Sequence, residues 1–187
     1  MKPFFDAFRQ YAPIGEAAQA DLIRMVAHES VPKGTVLLQA GQVCSRLYLL
    51  EAGMARGYYL HDGKELTSWF AFEGDVMLSM HSFTTRRPAF ETIEILENSS
   101  LYSIEYEHLQ YLYAHHAEIS TIGRLLSEKY YVELEEHTLA LQVMPAKARY
   151  ERLLAQQPQV LQRAQLSHIA SYLGMSQETL SRIRGKR

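Results

Sequence analysis

Cysteine is close to absent. Cys44 stands alone among 187 residues, which excludes an intrachain disulfide and a thiolate cluster able to hold an iron–sulfur centre. Long hydrophobic runs are missing as well. No apolar stretch approaches the ~18 residues of a membrane-crossing helix. The segment Met1-Lys2-Pro3-Phe4-Phe5-Asp6 lacks the shape of a signal peptide, so a cytoplasmic protein with no membrane partner is expected. Neither a glycine-rich phosphate loop nor a nucleophile elbow is found. His115 and His116 are adjacent, so they point in different directions on a helix, and no third ligand stands at a useful spacing. His61 and His81 form no His-x-His pair followed by glutamate. A lone histidine as a haem ligand is the one metal chemistry left open. No catalytic and no metal-ligating residue is assigned, and an enzyme is not expected.

What is present is concentrated near the end. In Leu166–Arg184, Ile169 and Leu173 lie four apart and share one helix face, while Leu180 and Ile183 lie three apart and share another. Gly174 sits where the first helix must stop, a position that suits a left-handed backbone. Ser176 is a good N-cap for the second helix, and Glu178 in its first turn suits the helix dipole. Ala170, four residues before the glycine, is small where two helices would cross. This is helix-turn-helix spacing, in which the second helix enters a DNA major groove. An ordinary αα-corner shares the apolar spacing, but it has no need of the outward set Gln177, Glu178, Ser181, Arg182 and Arg184, which are residue types that contact bases and phosphates.

Charge is divided unevenly. The net value of −2 hides a segment from Pro145 onward with Lys147, Arg149, Arg152, Arg163, Arg182, Arg184, Lys186 and Arg187 against Glu151 and Glu178 alone. That segment is the one expected to meet a polyanion. Earlier in the chain, residues 1–30 read as helical through Ile14, Ala18, Leu22, Met25 and Val26, with Pro32 closing the pattern. From Val31 to about Glu105 the period changes to two. Val36–Leu38, Leu47–Leu50, Ala55–Leu60, Glu65–Phe70 and Phe90–Ile95 read as strands, separated by turns such as Ala52-Gly53, Asp62-Gly63 and Glu73-Gly74. Asp62-Gly63 is the strongest hairpin signal, because a type I′ turn needs two positive φ angles. Helix returns near Tyr106. Ile119, Ile122, Leu126, Tyr130, Leu134, His137, Leu141 and Met144 then recur at threes and fours, a length that commonly packs against a copy of itself. Pro145 breaks the pattern as a hinge.

Helix, antiparallel barrel, long helix, hinge and helix-turn-helix in this order resemble the Crp/Fnr family of bacterial transcription regulators. The resemblance covers essentially the whole chain. Its most specific parts are Ile169–Gly174 with Ser176–Ile183, the barrel stretch Gly53–Tyr59, and the Glu73-Gly74-Asp75 turn. It implies an α+β fold: an antiparallel β-roll (a double-stranded β-helix of the cyclic-nucleotide-binding type), a long dimerisation helix, and a small helical helix-turn-helix domain. The corresponding boundaries are 1–115 for the N-terminal helix and sensor roll, 116–144 for the dimer helix and 145–187 for the DNA-binding domain. The implied partners are double-stranded DNA with a near-palindromic site, a second copy of the chain through Ile119, Ile122, Leu126, Tyr130 and Leu134, RNA polymerase and a small-molecule effector. Glu178 and Arg182 match family positions that reach base edges, and Gln177 stands where the family often has arginine. Ser176 and Thr179 are placed to hold the phosphate backbone, whereas Arg184, Lys186 and Arg187 add salt-dependent affinity.

Two departures from the family pattern stand out. Members that bind cyclic AMP hold its phosphate with an arginine followed by serine or threonine; Ala89 and Phe90 occupy those places here, and Asp75 replaces a glutamate. Arg86 and Arg87 lie nearby, within reach if the loop is shorter than this register assumes. A tentative pocket of Gly74, Asp75, Arg86, Arg87, Ala89 and Phe90 is thus expected to take no cyclic AMP, since a buried phosphate without a paired cation is expensive. It would take another effector or be filled by side chains such as Phe83 and Phe90, and no cofactor is expected. The second departure is that the sequence runs only a few residues past Ile183, so a short form without the usual β-hairpin wing is expected. The rival reading is a small-molecule sensor or protein-interaction module with a vestigial helix-turn-helix.

Overall fold

The computed structural model describes residues 2–185. Helices α1 (Lys2–Arg9) and α2 (Glu16–Met25) precede eight strands: β1 Ala27–Val31, β2 Val36–Leu38, β3 Arg46–Ala52, β4 Ala55–His61, β5 Lys64–Ala71, β6 Val76–Met77, β7 Glu91–Ile95 and β8 Ser99–Glu105. A short helix α3 (Met80–Thr85) interrupts them. All pairings are antiparallel, in two sheets ordered β1-β8-β3-β6 and β2-β7-β4-β5. Leu50, Ile93, Ile95 and Leu101 are wholly buried inside this roll, which supplies most of the apolar burial that stabilises it. Asp62 and Gly63 both have positive φ, 50° and 73°, so the β4–β5 turn is of the primed type that matches strand twist.

The first thirty residues depart from the single helical reading. Pro13 lacks an amide hydrogen and displaces Ala12 from helical geometry, which separates α1 from α2. Ala27–Val31 is a strand paired along its whole length with β8, from Ala27↔Ser103 to Val31↔Ser99. Five cross-strand partners outweigh a weak local helical preference. The strand β6 and the helix α3 had no periodic signal, being too short to carry one.

After the roll come α4 (Tyr106–His115), the 27-residue α5 (Ala117–Val143) and four shorter helices, α6 (Ala146–Gln156), α7 (Val160–Arg163), α8 (Leu166–Tyr172) and α9 (Gln177–Arg184). No helix among the described residues is long and apolar enough to cross a membrane. Helix α5 has two apolar faces, and the expected dimer face is largely turned inward. Ile119 and Ile122 are buried in the chain's own core, Leu126 packs against it, and the Tyr130 hydroxyl accepts a hydrogen bond from the Val76 amide at 2.9 Å. Leu134, one turn beyond, is exposed. A different row faces outward: Leu125, half-buried, then Val132 and Leu139 at intervals of seven, with Val143 beside them, these last three exposed. The threes-and-fours rule finds both rows but does not say which one the roll covers. Ile122→Ala should therefore cost about 2–5 kcal/mol of intrachain stability. In urea unfolding that loss should be the same at low and high protein concentration.

Candidate nucleic-acid interface and the roll interior

The turn between α8 and α9 forms as its residues dictate. Gly174 has φ +61°, a backbone conformation that favours glycine, and a Cβ there would fall 2.9 Å from Leu141 Cδ2 and displace the end of that side chain. Ser176 has extended backbone angles and its hydroxyl accepts the Thr179 amide at 3.2 Å, capping α9. Ala170, Leu173 and Leu180 are buried where the helices cross, and Ile183 packs against the same cluster. Consequently Gln177, Glu178, Ser181, Arg182 and Arg184 are all exposed, with Thr179 half-buried. The Arg182 guanidinium donates to the Thr179 hydroxyl at 3.2 Å. The Ser176 hydroxyl, followed by the backbone amide of Glu178 itself, holds the Glu178 carboxyl below its usual range. Lys186 and Arg187 lie outside the described residues.

The basic segment is less available to a polyanion than its count suggests. Arg149 is a strut inside the head formed by α6–α9: its guanidinium donates to the carbonyls of Leu173 at 2.7 Å, Met144 at 2.6 Å and Gly174 at 3.2 Å. It ties the end of α5 to the turn between α8 and α9. Arg152 pairs with Glu136 of α5 at 2.6 Å, and Lys147 with Glu151 at 3.7 Å. Arg163 serves the roll. It pairs with Glu73 at 2.8 Å and Glu97 at 2.7 Å, donates to the Gly53 carbonyl at 2.7 Å, and lies over the Phe72 ring at 5.4 Å. A planar guanidinium with five donors suits such multiple pairing. Charge counting treats every arginine alike, so it missed these roles.

The head is seated on the β5 edge of the second sheet. The Thr67 amide donates to the Ser171 hydroxyl at 2.9 Å, and that hydroxyl donates to the Glu65 carbonyl at 3.0 Å. One serine of α8 thereby satisfies two groups that an edge strand leaves free. Tyr172 stacks on His137 of α5, with ring centroids 4.2 Å apart, and meets Phe70 edge-on at 5.3 Å. Beneath α8, the buried Arg56 pairs with Glu94 at 2.7 Å and with Glu65. His168 faces this site with Nδ1 buried and unpartnered; desolvation, followed by the Arg56 charge, lowers its pKa. Ser171 gave no sequence signal, because a serine on a helix face is ordinarily a solvated one.

Inside the roll the six tentative pocket residues are not brought together. The Arg86 guanidinium donates to the Cys44 carbonyl at 2.7 Å and covers the Tyr106 ring at 3.9 Å, so it serves the scaffold. Arg87 is exposed. Ala89 is buried, its amide donating to the Gln42 carbonyl at 2.8 Å. Phe90 is 65% exposed and stacks on His81 rather than filling the interior. Phe83 is buried among the core residues that include Cys44 and Tyr102. Gly74 makes the turn after β5 with φ +91°, and Asp75 accepts the Phe72 amide at 2.9 Å and lies 3.9 Å from Lys129 of α5. Trp69, which the sequence reads as a core aromatic of a strand, has a more particular place. Its indole lies against Gly57, where an added Cβ would fall 2.2 Å from the ring, and its N–H donates to Glu91 at 3.0 Å. Glu91 is 7% exposed, and burial raises its pKa, an effect that the Trp69 and Ser79 side chains partly offset. An indole and a carboxylate therefore sit on strands β5 and β7 of the roll.

The Arg163 site has a pH signature. Its guanidinium holds the Glu73 carboxyl down at about 2. A depressed carboxylate stabilises the fold fully above its ordinary value near 4.5 and loses that contribution as pH falls toward 2. Arg163→Ala should cost about 1–3 kcal/mol at neutral pH. It should also flatten the fall in stability across that acid window, which denaturant melts at successive pH values would show.

Residues 28–116 match the family model of the cyclic nucleotide-binding domain. No curated protein matches the chain significantly. Solved structures do. FixK2 from Bradyrhizobium japonicum aligns at 20% identity and TM-score 0.76, covering 86% of this chain and 83% of its own. A putative transcriptional regulator of the Crp/Fnr family from Eubacterium rectale aligns at 23% and 0.73, covering 93% and 85%. The c-di-GMP responsive global regulator CLP of Xanthomonas campestris aligns at 19% and 0.70, covering 92% and 91%. Residues 28–116 are thus similar to the cyclic nucleotide-binding domain, and the chain as a whole shares the fold of these solved regulators.

Proposed function

We propose that the chain is a DNA-binding transcriptional regulator of the Crp/Fnr type, acting as a homodimer on a near-palindromic site. The observation that carries this reading is the exposed polar face of α9, held outward by the Gly174 turn and the Ser176 cap. Arg182 presents the fork that pairs with guanine, and Glu178 accepts from cytosine. Gln177, Ser181 and Arg184 flank them, while Ser176 and Thr179 stand at the helix N-terminus where a phosphate is favoured. The outward row of Leu125, Val132, Leu139 and Val143 on α5 supports a paired helix, because its seven-residue interval is that of a coiled-coil seam. A small-molecule effector acting on the roll would bias how the two α5 helices set the reading heads.

Cyclic AMP does not suit this roll. Its phosphate would find Arg56 and Arg86 already engaged and Arg87 exposed at the surface, and it would meet the buried Glu91 carboxyl. Tests of function therefore begin with DNA. Fluorescence anisotropy on duplexes selected from a random pool, across a salt series, should show tight binding to the selected sequences. Arg182→Ala should lose about 1–3 kcal/mol of that preference while keeping the sequence-blind component. Weak, sequence-blind binding that the substitution leaves unchanged would refute the reading and favour a sensor whose helix-turn-helix is vestigial.

A further inference from the structure

A cavity of about 50 Å3 lies between the N-terminal helices, the first sheet and α5. Its floor is made by side chains buried in the core, including Phe4, Phe8, Leu22 and Ile104. Its rim is made by the half-buried Leu47, Val76, Tyr113, Gly123 and Leu126. By volume it has room for about three to five waters. A buried water needs two to four polar partners, however, and the lining offers one polar side chain, Tyr113. Burial alone raises the pKa of that hydroxyl. The space is therefore suited to apolar atoms and unsuited to water.

Helix α5 is shaped around this cavity. Glycine within a helix costs about 1 kcal/mol against alanine, yet Gly123 stands inside the 27-residue α5. A Cβ there would fall 2.5 Å from the Tyr113 hydroxyl and 2.8 Å from its ring. The glycine lets the Tyr113 ring lie directly on α5 at the cavity rim. Ile119, Ile122 and Leu126 add three more α5 residues to the wall. One turn further, the Tyr130 hydroxyl accepts the amide of Val76, itself a wall residue. Whatever fills the cavity bears on the seating of the helix that leads, through Pro145, to the reading head.

We propose that this cavity is a binding site for a small uncharged apolar molecule of about three to five non-hydrogen atoms, and that its occupant is an effector acting on α5. The proposal gives chemical content to the effector in the regulatory reading above, and its regulatory meaning rests on that reading. The binding itself does not, so it is measured without DNA. The probe is xenon, applied as gas pressure to the full-length protein and followed by NMR. Saturable shifts should appear at the methyl groups of Leu47, Val76 and Ile122 and at the Gly123 amide. Two filling substitutions, Val76→Leu and Leu47→Phe, should each weaken xenon binding at least tenfold, and circular dichroism identifies the variant that retains the fold. Shifts that rise linearly with pressure, or that persist unchanged in a folded filled variant, would overturn the proposal and leave a packing void. Failure of sequence-specific DNA binding, by contrast, would leave the xenon result standing and remove only its regulatory meaning.

Discussion

The arrangement of this molecule depends on one guanidinium. Arg163, at the end of α7, gathers two carboxylates and a carbonyl from three separate points of the roll: Glu73 after β5, Glu97 before β8 and Gly53 in the β3–β4 turn. The Gly53 amide also donates to Glu73 at 3.0 Å, so two of these turns are joined directly as well. A single planar cation fixes them together and fixes the head to them. The Ser171 bridge to the β5 edge and the Tyr172 stack with His137 and Phe70 add further contacts between head and roll. The apolar cluster of Met54, Phe70, Phe72 and Leu96 with Leu153, Val160 and Leu173 then closes over the junction. Roll and head share one hydrophobic core, so moving the head requires exposing that core as well as breaking the ion pairs.

Within this frame α5 is a divided element. Ile119, Ile122 and Gly123 belong to the roll, Glu136 and His137 hold the head, and the row from Leu125 to Val143 faces solvent. Three surfaces thus lie on one helix, and two of them are covered by the rest of the chain. The interior of the roll is equally committed. Trp69 over Gly57, anchored by Glu91, places an indole and a carboxyl group in the roll.

Much of the architecture was legible in the residues. The Asp62-Gly63 turn, the Gly174 stop, the Ser176 cap and the outward set on α9 follow from local stereochemistry, and local stereochemistry is what a sequence displays. What was not legible depends on contacts between distant segments. Residues 27–31 carry a mild helical pattern, and only pairing with β8 makes them a strand. Ile119 and Leu125 are both apolar members of one helix, and only the roll decides which is covered. Arg149 and Arg163 look like polyanion contacts until the carbonyls and carboxylates they meet are placed beside them. Trp69 reads as an ordinary strand aromatic until Gly57 is seen to leave room for its ring.

The central claim is that head and roll are clamped across the β5 edge. Amide hydrogen exchange at Thr67, in the intact protein and in Ser171→Ala, tests it most directly, because that amide has its partner in the head rather than in its own sheet. The account predicts slow exchange at Thr67 in the intact protein, with protection lost in the variant while the β3–β8 amides keep theirs. Exchange at Thr67 as fast as that of an exposed strand-edge amide, in the intact protein and the variant alike, would contradict it.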